Sequence, residues 1–328
     1  MNPRQRLTAC LANKVVDRPP VALWRHFPVD DQKPDRLAKS ILLFQKTYDF
    51  DLVKITPASS FCVRDYGVQD VWKGNPEGTR EYVHFPISKA EDWKNLTALD
   101  PTSGALGNQL ECIRQVKNEL PPEVPVIQTI FDPMSQAKNL VGKEKLLTHA
   151  RQHPSEFLAG LEILTDSTIK FIGECIKLGI DGVFFAIQHA QSSLLSLEEV
   201  SRFITPFDER ILDSVSSLWL NIAHIHGTNL YFNEIPKKNI SVLNWHDQET
   251  APSLQEAKKV FPGAVCGGLR QWDTLVYGTP EQVLEEASAA ILATEGNRFI
   301  LGTGCVLPVI APHSNITAAR SAVEQLNK

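Results

Sequence analysis

The sequence predicts an α/β protein, a (β/α)8 barrel of the TIM type with an N-terminal helical extension. Three observations predict it. Short apolar runs alternate with stretches of helical periodicity along almost the whole chain, those runs number eight, and no GxGxxG or GxxxxGK[ST] loop is present. Near-continuous apolar strands separated by helices indicate a parallel sheet covered on both faces. Eight such units favour closure into a barrel, and the missing phosphate loop removes the main motif of the rival, a doubly wound open sheet.

In chain order, an opening helix is expected over residues 3–14, broken by Pro19 and Pro20. Val21–Trp24 reads as the first buried strand and ends at Arg25 and His26. A helix over 35–48 follows from the apolar face of Leu37, Ile41, Phe44 and Tyr48. Leu52–Ile55 is the second strand, stopped at Pro57. Residues 58–104 are irregular and rich in Gly, Pro and aromatics, with hairpin strands around Asp70–Trp72 and Glu81–Phe85. They are expected as an insertion over one end of the barrel, within a single domain spanning 1–328.

Helices are then expected at 105–119, 135–150, 154–178, 197–217, 253–260, 280–295 and 315–327. Ser196 with Glu199 has the form of a capping box, and Pro280 stands at a favoured first helical position. Between the helices lie strands at Val124–Thr129, Gly182–Ala186, Leu220–Ile225, Ser241–Trp245, Ala264–Gly267 and Phe299–Leu301.

A net charge of −5 offers no electrostatic basis for nucleic acid or an anionic membrane as partner. The six cysteines are scattered without a CxxC pair, which does not read as a disulfide framework. No run approaches the ~20 apolar residues of a membrane span, and the N-terminus lacks an apolar core of signal-peptide length. A cytoplasmic protein acting on a small molecule is the expectation.

Barrel enzymes place their chemistry at the C-terminal ends of the strands. Of nine histidines, five fall at expected strand ends: His26, His189, His224, His226 and His246. His224 and His226 lie two apart, so on a strand they share a face. Alone, such a pair more often marks ordinary hydrogen-bonded residues than a metal. Cys305 follows a second strand-to-glycine turn, Gly302-Thr303-Gly304, and strand ends of a barrel face one opening. Two imidazoles and one thiolate with a free fourth position form the donor set of a catalytic zinc site. Arg25 is either an anion anchor or a salt-bridge partner, and Arg270 is either an anchor for a carboxylate or phosphate or a solvated loop charge. Asp132, His246 and Asp247 are candidates for acid–base or supporting roles.

These residues lie within a longer resemblance. Arg18-Pro-Pro-Val-Ala-Leu-Trp-Arg25, Gly267-Gly268-Leu269 with Gly278-Thr279-Pro280-Glu281, and Phe299-Ile-Leu-Gly-Thr-Gly-Cys-Val-Leu-Pro308 resemble the uroporphyrinogen decarboxylase superfamily. That superfamily is built on a (β/α)8 barrel. Its true decarboxylases bind a tetrapyrrole and carry the forms RPPVWxMRQAGR, FSDIL and GHG. Here Arg25 matches the first of the two arginines, Val29 stands at the second, Lys54-Ile-Thr-Pro57 replaces the aspartate stretch, and Thr303 replaces the histidine.

The other branch is similar to zinc-dependent corrinoid methyltransferases, with His-x-Cys and a second cysteine far down the chain. His224-Ile-His226 occupies the first pattern, and Cys305 lies 79 residues past His226. The resemblance implies zinc held by His224, His226 and Cys305, a methyl group exchanged with a corrinoid on a separate partner protein, and a homodimer. Arg25, His246 and Asp247 are then the catalytic candidates. Alternatives are a metal-free tetrapyrrole-binding decarboxylase and a non-catalytic binding protein on the same barrel.

Overall fold

The computed structural model describes residues 1–325 of the chain. Helix α1 (Pro3–Leu11) opens it under an Asn2 cap that accepts from the Gln5 N–H at 2.9 Å. Helix α2 (Pro34–Tyr48) leads to strand β1 (Val53–Ile55). The insertion follows and carries an antiparallel hairpin of β2 (Gln69–Val71) and β3 (Glu81–His84). Helix α3 (Gly104–Glu119) returns the chain to β4 (Val126–Phe131), which is followed by α4 (Pro133–Val141), α5 (Lys143–Gln152) and α6 (Pro154–Lys177).

Next come β5 (Gly182–Ile187), α7 (Leu197–Phe203), α8 (Thr205–Ser214), β6 (Ile222–Ile225) and β7 (Val242–Trp245). The chain closes with α9 (Leu254–Val260), β8 (Ala264–Leu269), α10 (Pro280–Thr294), β9 (Phe299–Thr303) and α11 (His313–Gln325). The last expected helix residues, 326 and 327, lie outside the described residues.

Seven strands form one parallel sheet in the order β1-β4-β5-β6-β7-β8-β9. Every residue in them is buried, whereas β2 and β3 are largely exposed. That is the physical origin of their mainly apolar character: a parallel strand under helices has no solvated face.

The closed eight-stranded barrel is not formed. The segment expected as a first strand contributes a single bridge, Val21 to Leu301. Pro19 and Pro20 have no N–H to donate to a ladder, so pairing is confined to a few groups. Ala22 N–H donates to Leu301 O at 2.9 Å, Leu301 N–H to Pro20 O at 2.8 Å, and Asp51 N–H to Val21 O at 2.9 Å. The architecture is therefore a curled seven-stranded parallel sheet in which the edge strand β9 and the chain just before β1 both bond this short segment.

Two expected helices are each divided. The 135–150 helix breaks at Gly142, whose φ of +84° lies outside the helical region. The 197–217 helix breaks at Ile204, between α7 and α8, where Pro206 in the first turn of α8 has no N–H to donate back to the preceding helix. Among the described residues, no helix is long and apolar enough to cross a membrane.

Candidate metal centre

Strand β6 delivers the paired histidines. His224 lies within β6, and the His226 N–H continues the ladder by donating to Ile187 O at 2.9 Å. The period of two therefore holds through His226, and both rings share one face. Gly227 then turns the chain at φ +101°, where a Cβ would meet the Gln191 side chain at 2.3 Å. Strand β7 lies next to β6 with His224 paired to Asn244, so His246 emerges beside His226. Cys305 arrives on the turn after β9. Gly304 makes this approach feasible: a Cβ there would lie 2.7 Å from His246 Cα and 2.8 Å from Trp245 O.

The donor atoms of His224, His226, His246 and Cys305 all lie within 4.8 Å of one another. His226 Nδ1 is 3.3 Å from His246 Nε2, 3.5 Å from His224 Nε2 and 3.9 Å from Cys305 Sγ. Tetrahedral zinc with bonds of about 2.0–2.3 Å separates neighbouring donors by about 3.3–3.6 Å. The two histidine contacts of His226 match that spacing, the whole set lies within 4.8 Å, and the donor types suit such an ion. His224 is buried, while the other three are partly open to solvent.

Hydrogen bonding orients His224. Asn244 Nδ2 donates to Cys266 O and to Thr303 O, each at 2.9 Å. Both amide protons are thus engaged, so Asn244 Oδ1, 2.7 Å from His224 Nδ1, acts as acceptor. His224 carries its proton on Nδ1 and turns a bare Nε2 toward the cluster, the usual support of a ligating imidazole.

Burial drives the electrostatics. It holds His224 well below the ordinary histidine range, lowers His226 to about 4 and depresses His246. Neutral imidazoles are the ligating form. Burial also pushes the Cys305 thiol up to about 11, so without a cation it keeps its proton.

The remaining expected residues lie elsewhere or are otherwise engaged. Arg25 Nη1 donates to Val309 O at 3.2 Å, its guanidinium lies over Phe27 and Phe44, and its Nε is buried without a partner. It is not one of the four clustered residues. Asp247 accepts from Gly268 N–H at 3.0 and 3.3 Å and from Gln248 Nε2 at 2.7 Å, tying the end of β7 to β8. Burial raises its carboxyl to about 6. Arg270 is paired with Glu286 at 2.5 Å, which settles it as a salt-bridge partner.

Two residues carry more than their sequence positions suggested. Asn244 had a signal, since it stands two before His246 on one strand. Lys54 had a weaker one, as a charge inside an apolar run. It is buried, its Nζ is 4.4 Å from the Phe184 centroid and 3.1 Å from Thr56 Oγ1, and burial lowers it to about 7. Phe184 in turn stacks on His224 at 5.3 Å.

The family model described as "Uroporphyrinogen decarboxylase (URO-D)" matches residues 2–326. The chain belongs to that family.

Methylcobamide:CoM methyltransferase MtaA of Methanosarcina barkeri is 24% identical over 344 residues, covering 98% of this chain and 97% of that one. A uroporphyrinogen decarboxylase of Rhodococcus erythropolis is 27% identical over 269 residues, covering 75% and 70%. A solved methyltransferase structure from Methanosarcina mazei superposes with a TM-score of 0.86 at 19% identity, covering 100% of both chains. The likeness to the methyltransferases thus runs the full length of the chain. It is a family member related to corrinoid-dependent methyltransferases, with a candidate metal-binding cluster.

Proposed function

We propose that this protein is a zinc-dependent methyltransferase that exchanges a methyl group between a corrinoid, carried by a separate protein, and a small nucleophile. The observation that carries this reading is the convergence of His224, His226, His246 and Cys305 at donor spacings that suit one tetrahedral ion. A zinc ion there supplies Lewis acidity, lowering the pKa of a thiol or similar nucleophile brought against it.

The protein's own residues have distinct tasks. His224 would hold the ion through Nε2, braced by Asn244. His226 and His246 would hold it from adjacent strand ends. Cys305 would ligate as thiolate, releasing its proton on metal uptake. One thiolate does not neutralise a dication, so the set keeps a net positive charge and favours an anionic or readily ionised nucleophile. His246 is thereby read as a fourth donor, beyond the three expected from sequence, which gives up its position when the nucleophile binds, since a tetrahedral ion with four protein ligands has none open.

Three departures weigh against tetrapyrrole decarboxylation. Lys54 replaces the aspartate stretch with a buried amine, and Val29 leaves Arg25 without a second arginine. Thr303 stands at the family's histidine, its backbone carbonyl engaged in bracing Asn244.

Metal analysis of the purified protein, paired with methyl transfer from free methylcobalamin to simple thiols, tests the proposal. Stoichiometric zinc that is lost in Cys305→Ser, with transfer lost in parallel, is expected. Absence of zinc, or an unchanged metal content in the variant, sinks it.

A further inference from the structure

Two aspartates are completely buried behind the strand ends: Asp132, which caps α4, and Asp208, in the first turn of α8. Their hydrogen-bonding needs are met very unequally. Asp132 Oδ1 accepts from the Ser135 N–H at 3.3 Å and from the Ser135 hydroxyl, whereas its Oδ2 is buried without a partner. Asp208 finds no donor at either oxygen. An ionised carboxylate with no donor is among the costliest groups to bury, and an orphaned buried oxygen marks a missing proton, ion or water.

Helices α4 and α8 both pack against α6, which gathers the two acids into one region. Burial holds the Asp208 carboxyl well above the ordinary range, and the charges of Asp132 and Glu209 raise it further. Burial raises Asp132 as well, to about 7, against the opposing effects of Ser135 and Lys138. Neighbouring carboxyls so placed do not both ionise. Donor counting says which keeps the proton. Asp132 has donors that favour its anion, Asp208 has none, and Asp132 Oδ2 is an acceptor in want of a donor.

We propose that Asp208 and Asp132 form a proton-sharing acid pair: Asp208 carries one proton and donates it to Asp132 Oδ2, which leaves Asp132 Oδ1 as the acceptor that orients Ser135. The consequence extends toward the metal centre. Ser135 is fully buried, and its Oγ lies 3.5 Å from His189 Nδ1. With its own proton on Asp132, the hydroxyl can only accept from the ring, so His189 is protonated on Nδ1. His189 lines a cleft of about 340 Å³ together with His226. Asp208 is thus a positioning residue that acts on a histidine of that cleft through Asp132 and Ser135. The inference goes beyond the methyltransferase reading and needs no metal.

Two measurements on the full chain test it. Infrared spectroscopy at pH 8, where an ordinary aspartate is ionised, should show the carbonyl stretch of a protonated carboxyl group, shifted in heavy water. Asp208→Asn should abolish it. Absence of the band, or its persistence in Asp208→Asn, overturns the pair. So does a calcium or alkali-metal ion bound by the wild type and lost in Asp208→Asn, since a cation would then stand where the proton is assigned.

The second measurement is long-range proton–nitrogen NMR, with the His189 signal identified by its loss in His189→Gln. Wild-type His189 should be protonated on Nδ1. Asp208→Asn, whose amide donates to Asp132 as the protonated acid does, should keep that tautomer, and Ser135→Ala should lose it. A wild-type ring protonated on Nε2, loss of the tautomer in Asp208→Asn, or its survival in Ser135→Ala overturns the positioning role. A protein that binds no zinc would remove the methyltransferase reading and leave both results standing, so the two failures are distinct.

Discussion

The wall formed by β6, β7 and the turn after β9 contrasts with the seam around Val21–Arg25. Both stretches run along the same sheet and end in polar side chains. On the wall, each functional residue is placed by a ladder register: His224 beside Asn244, and Asn244 beside Cys266. At the seam the two prolines leave only one bridge, and Arg25 beyond it rests on aromatic rings and one carbonyl. Regular backbone pairing fixes side chains to within hydrogen-bond precision. A loosely paired segment leaves its charged group adaptable.

The sharpest way to break the contrast is to remove a donor from the wall. Cys305→Ala should lower zinc affinity, measured by competition with a chelator, by more than about 100-fold, beyond the effect of losing a supporting residue. An affinity within a few-fold of wild type would show that the turn after β9 does not serve the site.

Asn244→Ala should cost about 10–100-fold in the same assay, because His224 loses its orienting acceptor. It also strips donors from two carbonyls, so a thermal melt of the zinc-free variant separates the supporting role from general destabilisation.

Gly304→Ala tests the close approach of the two backbones. Its Cβ would meet the chain at His246, and the required shift should cost about 1–3 kcal/mol in urea unfolding while loosening the metal. Unchanged stability would mean that the turn relaxes freely.

The seam offers a pH test through His26, which burial lowers to about 3. Its folded pKa is depressed, so as pH falls below 6.5 the unfolded chain takes up the proton first and stability declines. The decline amounts to about 1.4 kcal/mol per pH unit for one such histidine and continues to about pH 3. Between pH 7 and pH 5, zinc-free His26→Leu should therefore lose about 2 kcal/mol less than wild type in urea melts. Parallel losses in the two proteins would contradict this. The smallest effect belongs to Arg25→Met, expected to change zinc affinity less than about twofold, since its contacts lie apart from the four donors. A larger change would join the seam to the metal centre.

Much of this arrangement was legible in the chain. The alternation of apolar runs with helical periods identified all seven sheet strands, because burial on both faces demands mainly apolar sequence. The spacing of two between His224 and His226 placed both rings on one face, since the strand period permits nothing else. The proline behind the helix break at Ile204, Pro206, was written in the sequence as well, though the expected helix ran through it from 197 to 217.

What only tertiary structure decided was adjacency. Local periodicity states which face a side chain takes but not which strand lies alongside, nor in what register. His246 joins His226 because β7 pairs with β6, and Asn244 reaches His224 for the same reason. Cys305 closes the set because a glycine lets one backbone rest on another. The number of strands was decided in the same way: the prolines before Val21 were plain in the sequence, but only the folded sheet showed that the hydrogen bonds left to that segment make one bridge rather than a strand.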